Sequence, residues 1–306
     1  MSPTPEPNLG TNLWQALQAR LLDMFARFAA AATPTVKRRL GELLANATYY
    51  GLGIRRQHVE SALCRHLNMS GAEAAACAPR IYRAFFTNAL EMASIPYFSR
   101  SEIENRLVPS GLEHLQAARA VGKGVILVSF HYGLWELIPP WLVYNGFPIT
   151  SVVRRQNNRK VDAWMEFMRT SHGAQTTDSG FGIREILRTL RQGNILGLMS
   201  DQDSGTKGIF VPFLGKMASS PVGPAQISRK TGAPIIVTAG HPQFPPPHRV
   251  EFSPPIFPEA FPAGPAGDQA LTRAYIRQFE TWIHQRPEQW FWLHRRWKTQ
   301  PEASDA

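Results

Sequence analysis

From residue 107 the chain alternates between short apolar runs and stretches of helical spacing, and no other feature narrows its fold as far. Segments 125–130, 149–153, 195–199 and 234–238 are apolar and of strand length. Segments 112–120, 161–171, 181–191 and 222–231 carry helical periodicity, as 134–144 does in part. A proline-rich connection at 242–247 leads to an expected edge strand at 249–252, and 271–284 reads as a last helix. Strands alternating with helices predict an α/β fold: a single central sheet, mostly parallel or mixed, flanked by helices. Before it, 12–106 is helical throughout and forms an N-terminal helical region. The expected division is a disordered N-terminus at 1–11, the helical region at 12–106, an α/β core at 107–298 and a disordered tail at 299–306.

In open α/β sheets, sites collect at the carboxyl ends of the strands. His131 follows one predicted strand, Arg154 and Arg155 the next, and Asp201 another. His131 sits in VILVSFHYGLWE, five residues before Glu136. On one continuous helix, residues five apart lie about 140° apart and do not face each other. A strand that ends at His131, turns at Gly133 and enters a helix folds Glu136 back toward the imidazole. A carboxylate there fixes the tautomer and stabilises the imidazolium, as a general base requires. Ser129 is the one nearby hydroxyl to watch as a nucleophile.

Two further segments carry pattern. Residues 200–215, SDQDSGTKGIFVPFLG, place Asp201 and Asp203 after a strand, with glycines and then an apolar wall. Two carboxylates alone are weak grounds for a metal, and none is expected. Residues 287–298, PEQWFWLHRRWK, alternate tryptophans with basic side chains. Such a segment either docks its aromatics into the protein's own core or suits a membrane interface, with indoles at headgroup depth and arginines on phosphates. Trp290 and Trp292 are the expected anchors.

Residues 13–32 form an amphipathic helix. Trp14, Leu17, Leu21, Met24 and Phe28 recur at three- and four-residue steps, and Leu22 and Phe25 widen the stripe. Arg20, Asp23 and Arg27 interrupt it, so it does not read as a spanning helix: it lies in a membrane interface or packs on the protein's own core. Trp14, Phe25 and Phe28 are its expected membrane contacts. The formal charge of +10 calls for acidic partners. No nucleic-acid motif accompanies it, so nucleic acid is not expected. The two cysteines have no zinc or CxxC spacing, and there is no nucleophile elbow, P-loop or dinucleotide fingerprint.

Together these segments resemble the bacterial lipid A biosynthesis acyltransferase family, within the lysophospholipid acyltransferase-like superfamily. SFHYGLWE resembles its H-x-x-x-x-E/D box, DQDSGTKGIFVPFLG its DQD segment, and PEQWFWLHRRWK its terminal block; the likeness covers 55–298. Leu214 and Ser219-Ser220 depart from the pattern, and the helix at 13–32 stands where the family has a membrane helix. The resemblance implies a glycerolipid acyltransferase-like fold at the cytoplasmic face of the inner membrane, peripheral or monotopic. It implies transfer of a fatty acyl chain from an acyl carrier protein thioester, or acyl-CoA, to a hydroxyl of a lipid A precursor. No cofactor is implied. His131 matches the family histidine and Glu136 its acidic partner, making them the expected catalytic pair. Arg154, Arg169 and Arg184 match its basic positions and Asp201 and Asp203 its DQD, all expected to bind substrate. The rival expectations are a different acceptor, such as a phosphatidylinositol mannoside, and a non-catalytic basic protein that binds a membrane or nucleic acid.

Overall fold

The structure is a computed structural model that describes residues 9–178 and 183–301. The expected disorder at 1–8 and 302–306, and positions 181 and 182 of the expected 181–191 helix, lie outside the described residues. The N-terminal part comprises α1 (Leu9–Ala31), α2 (Pro34–Asn46), α3 (Arg56–Leu67), α4 (Gly71–Ala93) and α5 (Arg100–Arg106). The second part runs β1 (Leu107–Ser110), α6 (Leu112–Ala120), β2 (Val125–Ser129), α7 (Ile138–Tyr144), β3 (Ile149–Val153) and α8 (Arg159–Thr170). It continues through β4 (Gln175–Asp178), α9 (Ile183–Arg191), β5 (Ile195–Met199), β6 (Ile209–Phe213) and β7 (Lys216–Ser220). It closes with α10 (Gly223–Thr231), β8 (Ile235–His241), β9 (His248–Phe252) and α11 (Pro265–Gln285).

Seven of these strands make one sheet in the order β1-β9-β8-β2-β5-β3-β4. Every neighbouring pair is parallel except β8 with β9. The expected edge strand at 249–252 is therefore internal: β1 covers its outer side. Strands β6 and β7 form a separate antiparallel hairpin against α11.

Period-two side-chain alternation divides the core between the two faces of the sheet. Ile126, Val128, Leu196, Ile235 and Val237 pack with Tyr275, Phe279 and Trp282 of α11 and with α3 and α4. Val125, Leu127, Ile195 and Ile236 face the other way, onto Leu115 of α6 and Ile138, Trp141 and Leu142 of α7. Both faces are covered, which is why the central strands read as continuous apolar runs.

Local chemistry sets the helix starts. Thr33 caps α2 with Pro34 in its first turn, and Ser70 and Ser99 close capping boxes with Glu73 and Glu102. A buried charge cluster ties the helical region to the core. Glu91 of α4 pairs with Lys37 of α2 at 2.7 Å and with Arg106 of α5 at 2.5 Å, and lies 3.4 Å from His248 of β9. Burial works against ionisation of Glu91, but these partners outweigh it and hold its carboxyl well below the usual range.

Helix α1 begins at Leu9, inside the stretch expected to be disordered. It packs on α4 and α8 through its small face, burying Ala26 and Ala29. Asp23 accepts hydrogen bonds from Tyr97 and from Trp164 Nε1. The apolar stripe points away: Leu13, Trp14, Leu17, Leu21, Met24, Phe25 and Phe28 are all exposed. Among the described residues, no helix is long and apolar enough to cross a membrane.

Candidate active site

Strand β2 pairs with β5 in register, Ser129 opposite Met199. Two residues beyond each, His131 and Asp201 meet. Asp201 Oδ1 lies 2.8 Å from His131 Nδ1, and its Oδ2 accepts from the His131 backbone N–H at 2.9 Å. The indole Nε1 of Trp290 donates to the same Oδ2 at 2.9 Å. The carboxylate is thus held by three donors in a buried setting, and it fixes the imidazole with Nε2 left for a substrate. Burial disfavours the imidazolium, but Asp201 outweighs it and holds the His131 pKa above the ordinary histidine value. Burial likewise works against the Asp201 carboxylate, and His131 and Trp290 outweigh it and hold its pKa low.

The sequence had paired His131 with Glu136. The structure places Asp201 on Nδ1 instead, while Glu136 engages Arg169 of α8 through Arg169 Nη2 at 2.7 Å and Nε at 3.1 Å. After His131 the chain turns at Gly133, whose φ is +57° and where a Cβ would sit 1.8 Å from the carbonyl oxygen of Gly240. A short 3₁₀ turn at Trp135–Leu137 then points Glu136 along the wall toward α8. Glu136 still contributes negative potential at His131.

His131, Glu136 and Arg169 line one cavity of about 450 Å³ over the carboxyl ends of β2, β3 and β5, with Asp201 buried behind His131. Its depth is apolar, with Leu127, Ile138, Pro139, Ile149, Val153 and Met199 among the lining. Gly197 in mid-β5 keeps the floor low: a Cβ there would lie 3.2 Å from both Ile149 Cδ1 and Ser151 Oγ. Ser129 also lines the cavity, and its hydroxyl donates to the Thr238 carbonyl oxygen at 3.4 Å.

The remaining expected site residues divide. Arg154 is exposed and lines the cavity, as Arg169 does. Arg184 is exposed on α9 and does not line it. Asp201, expected on substrate, is committed to His131. Asp203 is committed to the fold: Oδ1 accepts from the Gly205 N–H and the Thr299 hydroxyl, both at 2.9 Å, and Oδ2 from the Thr299 N–H at 3.1 Å. It anchors Thr299, a residue of the expected disordered tail. Trp290 and Trp292 are not interface anchors. They are 2% and 1% exposed. Trp290 carries Asp201, and Trp292 Nε1 donates to the Pro287 carbonyl oxygen at 2.8 Å. Alternating tryptophans and arginines on a segment that crosses the core surface look the same in sequence as an interfacial one. Trp14, Phe25 and Phe28 remain exposed. Sequence reasoning missed Trp290 as a support for the site, and also Gly197 and Gln202 in the cavity wall.

A family model described as bacterial lipid A biosynthesis acyltransferase matches residues 24–299. Phosphatidylinositol mannoside acyltransferase of Mycobacterium tuberculosis is 31% identical over 154 residues, 48% of this chain and 49% of that protein, so the match spans about half the length of that relative. Lipid A biosynthesis palmitoleoyltransferase of Escherichia coli is 26% identical over 302 residues, 96% of this chain and 90% of that protein. Among solved structures, the 1-acyl-sn-glycerophosphate acyltransferase of Thermotoga maritima superposes with a TM-score of 0.37 at 14% identity, covering 88% of this chain and 97% of that one. With its three motif blocks inside the matched span, the chain belongs to the bacterial lipid A biosynthesis acyltransferase family.

Proposed function

We propose that the protein is an O-acyltransferase that moves a fatty acyl chain from a thioester to a hydroxyl of a glycolipid. The observation that carries this reading is His131, paired with Asp201, in the lining of a mostly apolar cavity large enough for an alkyl chain. His131 Nε2 takes the proton of the acceptor hydroxyl. The oxygen attacks the thioester carbonyl, the C–O bond forms and the C–S bond breaks, and the thiolate leaves with the proton from the imidazolium. Asp201 stabilises that imidazolium. Glu136, locked by Arg169, adds negative potential and shapes the wall. Transfer is direct, with no acyl-enzyme: the Ser129 hydroxyl is turned to a backbone carbonyl rather than to His131.

The donor is an acyl carrier protein thioester and the acceptor a lipid A precursor, in line with the family. The +10 charge favours an acidic carrier and an anionic membrane. A second reading, a mannose-bearing acceptor, is favoured by the likeness to the mycobacterial relative. The reaction runs at the cytoplasmic face of the inner membrane, where the protein sits peripherally on α1. The Asn158 amide donates to Gln18 Oε1 of α1 at 2.5 Å, and Arg154 and Gln156, shortly before Asn158 in the chain, line the cavity. Helix α1 therefore packs beside the segment that carries Arg154 and Gln156 of the lining. Tyr50, Leu52 and Ile54, also exposed, give a second apolar contact beside Arg55 and Arg56.

Mass spectrometry of lipids from cells with and without the protein tests the reading. One glycolipid should lose a single ester-linked chain in the deletion and regain it on complementation. Identical lipid profiles would refute it.

A further inference from the structure

Arg296 is a buried cation with no part in the proposed chemistry. It is 1% exposed, and among the described residues no carboxylate pairs with it. Neutral oxygens of the β6–β7 hairpin hold its guanidinium: Nη1 donates to the Ser219 carbonyl oxygen and Nη2 to the Ser220 hydroxyl, both at 2.5 Å. Its Nε is buried without a partner. Its Cζ lies 5.1 Å from the centre of the Phe213 ring. Trp290 meets the same ring edge-on, with centroids 5.3 Å apart, and donates to Asp201. Phe213 and Trp290 thus link the guanidinium to the carboxylate behind His131. A buried charge is costly unless an opposite charge answers it. Burial pushes the Arg296 pKa down to about 10, and the acidic charges that oppose this are Asp201 and Asp203. Asp203 has Lys298 Nζ 3.8 Å from its Oδ1.

We infer that Arg296 is a positioning residue: its guanidinium is a fixed positive charge that keeps Asp201 ionised and eases proton loss from His131. The consequence for catalysis rests on the acyl-transfer reading; the electrostatic role does not. Behind the imidazole, Arg296 and Lys298 match the charges of Asp201 and Asp203. His294 and Tyr275 also face this cluster, and burial keeps both neutral. On the cavity side, Arg169 matches Glu136. The neutral imidazole therefore rests among balanced charges. Without Arg296 the surroundings carry one negative charge in excess, which favours the imidazolium. The sign does not depend on which of His131 and Asp201 holds the shared proton, because losing it makes the pair more negative by one charge either way. Both Arg296 and Asp201 are buried, so salt screens the effect little.

The test follows the His131 imidazole by NMR titration of the full chain in detergent, with the pH profile of kcat/KM beside it. Arg296→Gln removes the charge and keeps hydrogen-bonding groups for Ser219 and Ser220. Arg296→Met, which fills the seat over Phe213, carries the test if Arg296→Gln does not fold. Either should move the His131 midpoint upward by about half a pH unit or more, and the kcat/KM midpoint should follow. Arg296→Lys keeps the charge and should leave the midpoint near wild type. An unmoved or lowered midpoint in a folded, uncharged variant overturns the assignment, and so does an Arg296→Lys protein that shifts as far as the uncharged ones. Arg296 would then only clamp the terminal block to the hairpin. A midpoint that shifts as stated, in a protein that acylates no glycolipid, keeps the electrostatic role and overturns the acyl-transfer reading.

Discussion

Trp290 and Asp201 are 89 residues apart in the chain, yet the indole Nε1 donates to the carboxylate oxygen Oδ2 at 2.9 Å. Through that bond the terminal block holds the group that holds His131. The backbone reinforces it: the Phe291 N–H donates to the His131 carbonyl oxygen at 3.0 Å, and the Gly133 N–H to the Gln289 carbonyl oxygen at 3.0 Å. The terminal block PEQWFWLHRRWK is thus a brace behind the candidate catalytic histidine rather than a membrane anchor.

Trp290→Phe keeps the aromatic packing and removes one donor to a buried carboxylate. A charge-assisted hydrogen bond of this kind is worth about 1.5–3 kcal/mol. The variant should remain folded, with a thermal midpoint lowered by a few degrees, and should lose at least about tenfold in kcat/KM. Steady-state kinetics beside thermal unfolding checks this; undiminished turnover would mean that the brace does not tune the pair.

The pH profile follows from the direction of the His131 shift. The neutral imidazole is the base, so kcat/KM rises with pH as His131 loses its proton. Burial lowers its pKa, and the charge and hydrogen bond of Asp201 together with the charge of Glu136 raise it by more. The rise should therefore centre above the ordinary histidine value of about 6.5. In Asp201→Asn burial is opposed mainly by the weaker potential of Glu136, so the midpoint should fall while the plateau rate drops. An unchanged midpoint in Asp201→Asn would exclude His131 as the titrating base.

Gly197 sets the depth of the acyl cavity. A valine there would push against Ile149 and Ser151 and fill the floor. Gly197→Val should shift preference toward shorter acyl chains in a competition between donors of graded length, with little change for the shortest. Equal loss across all lengths would show that the chain does not reach β5.

The exposed stripe of α1 predicts how the protein meets a membrane. Leu17→Asp with Leu21→Asp should abolish co-sedimentation with anionic vesicles and leave folding intact, since neither side chain is buried. High salt or alkaline carbonate should release the wild type. Vesicle binding that survives both substitutions would locate the contact elsewhere, at Tyr50–Ile54 first.

The central sheet was legible because β2, β3, β5 and β8 are apolar runs buried on both faces. The two edges were not: β1 reads LVPS and β4 reads QTTD. Four residues with a proline or with polar side chains give no strand signal above a loop. The helix starts at α2, α4 and α5 were written in their caps. His131 was readable as a polar residue closing an apolar run. Its partner was assigned to Glu136, five residues along, because local spacing was the only distance available. The true neighbour, Asp201, is 70 residues away and comes within reach only because β2 and β5 pair in parallel register, a fact of strand order that no local pattern contains. Asp203, two residues further, looked equivalent to Asp201 and is instead tied to Gly205 and Thr299.

The most direct test of the account is acyl transfer by purified wild type and His131→Ala, assayed with a radiolabelled acyl carrier protein thioester with and without the glycolipid fraction. The account predicts label in the glycolipid only when both substrates are present. It predicts no label on denatured protein given donor alone, and a loss of about a hundredfold or more in a folded His131→Ala variant. Near-normal turnover in that variant, or a stoichiometric acyl adduct that disappears in Ser129→Ala, would contradict it.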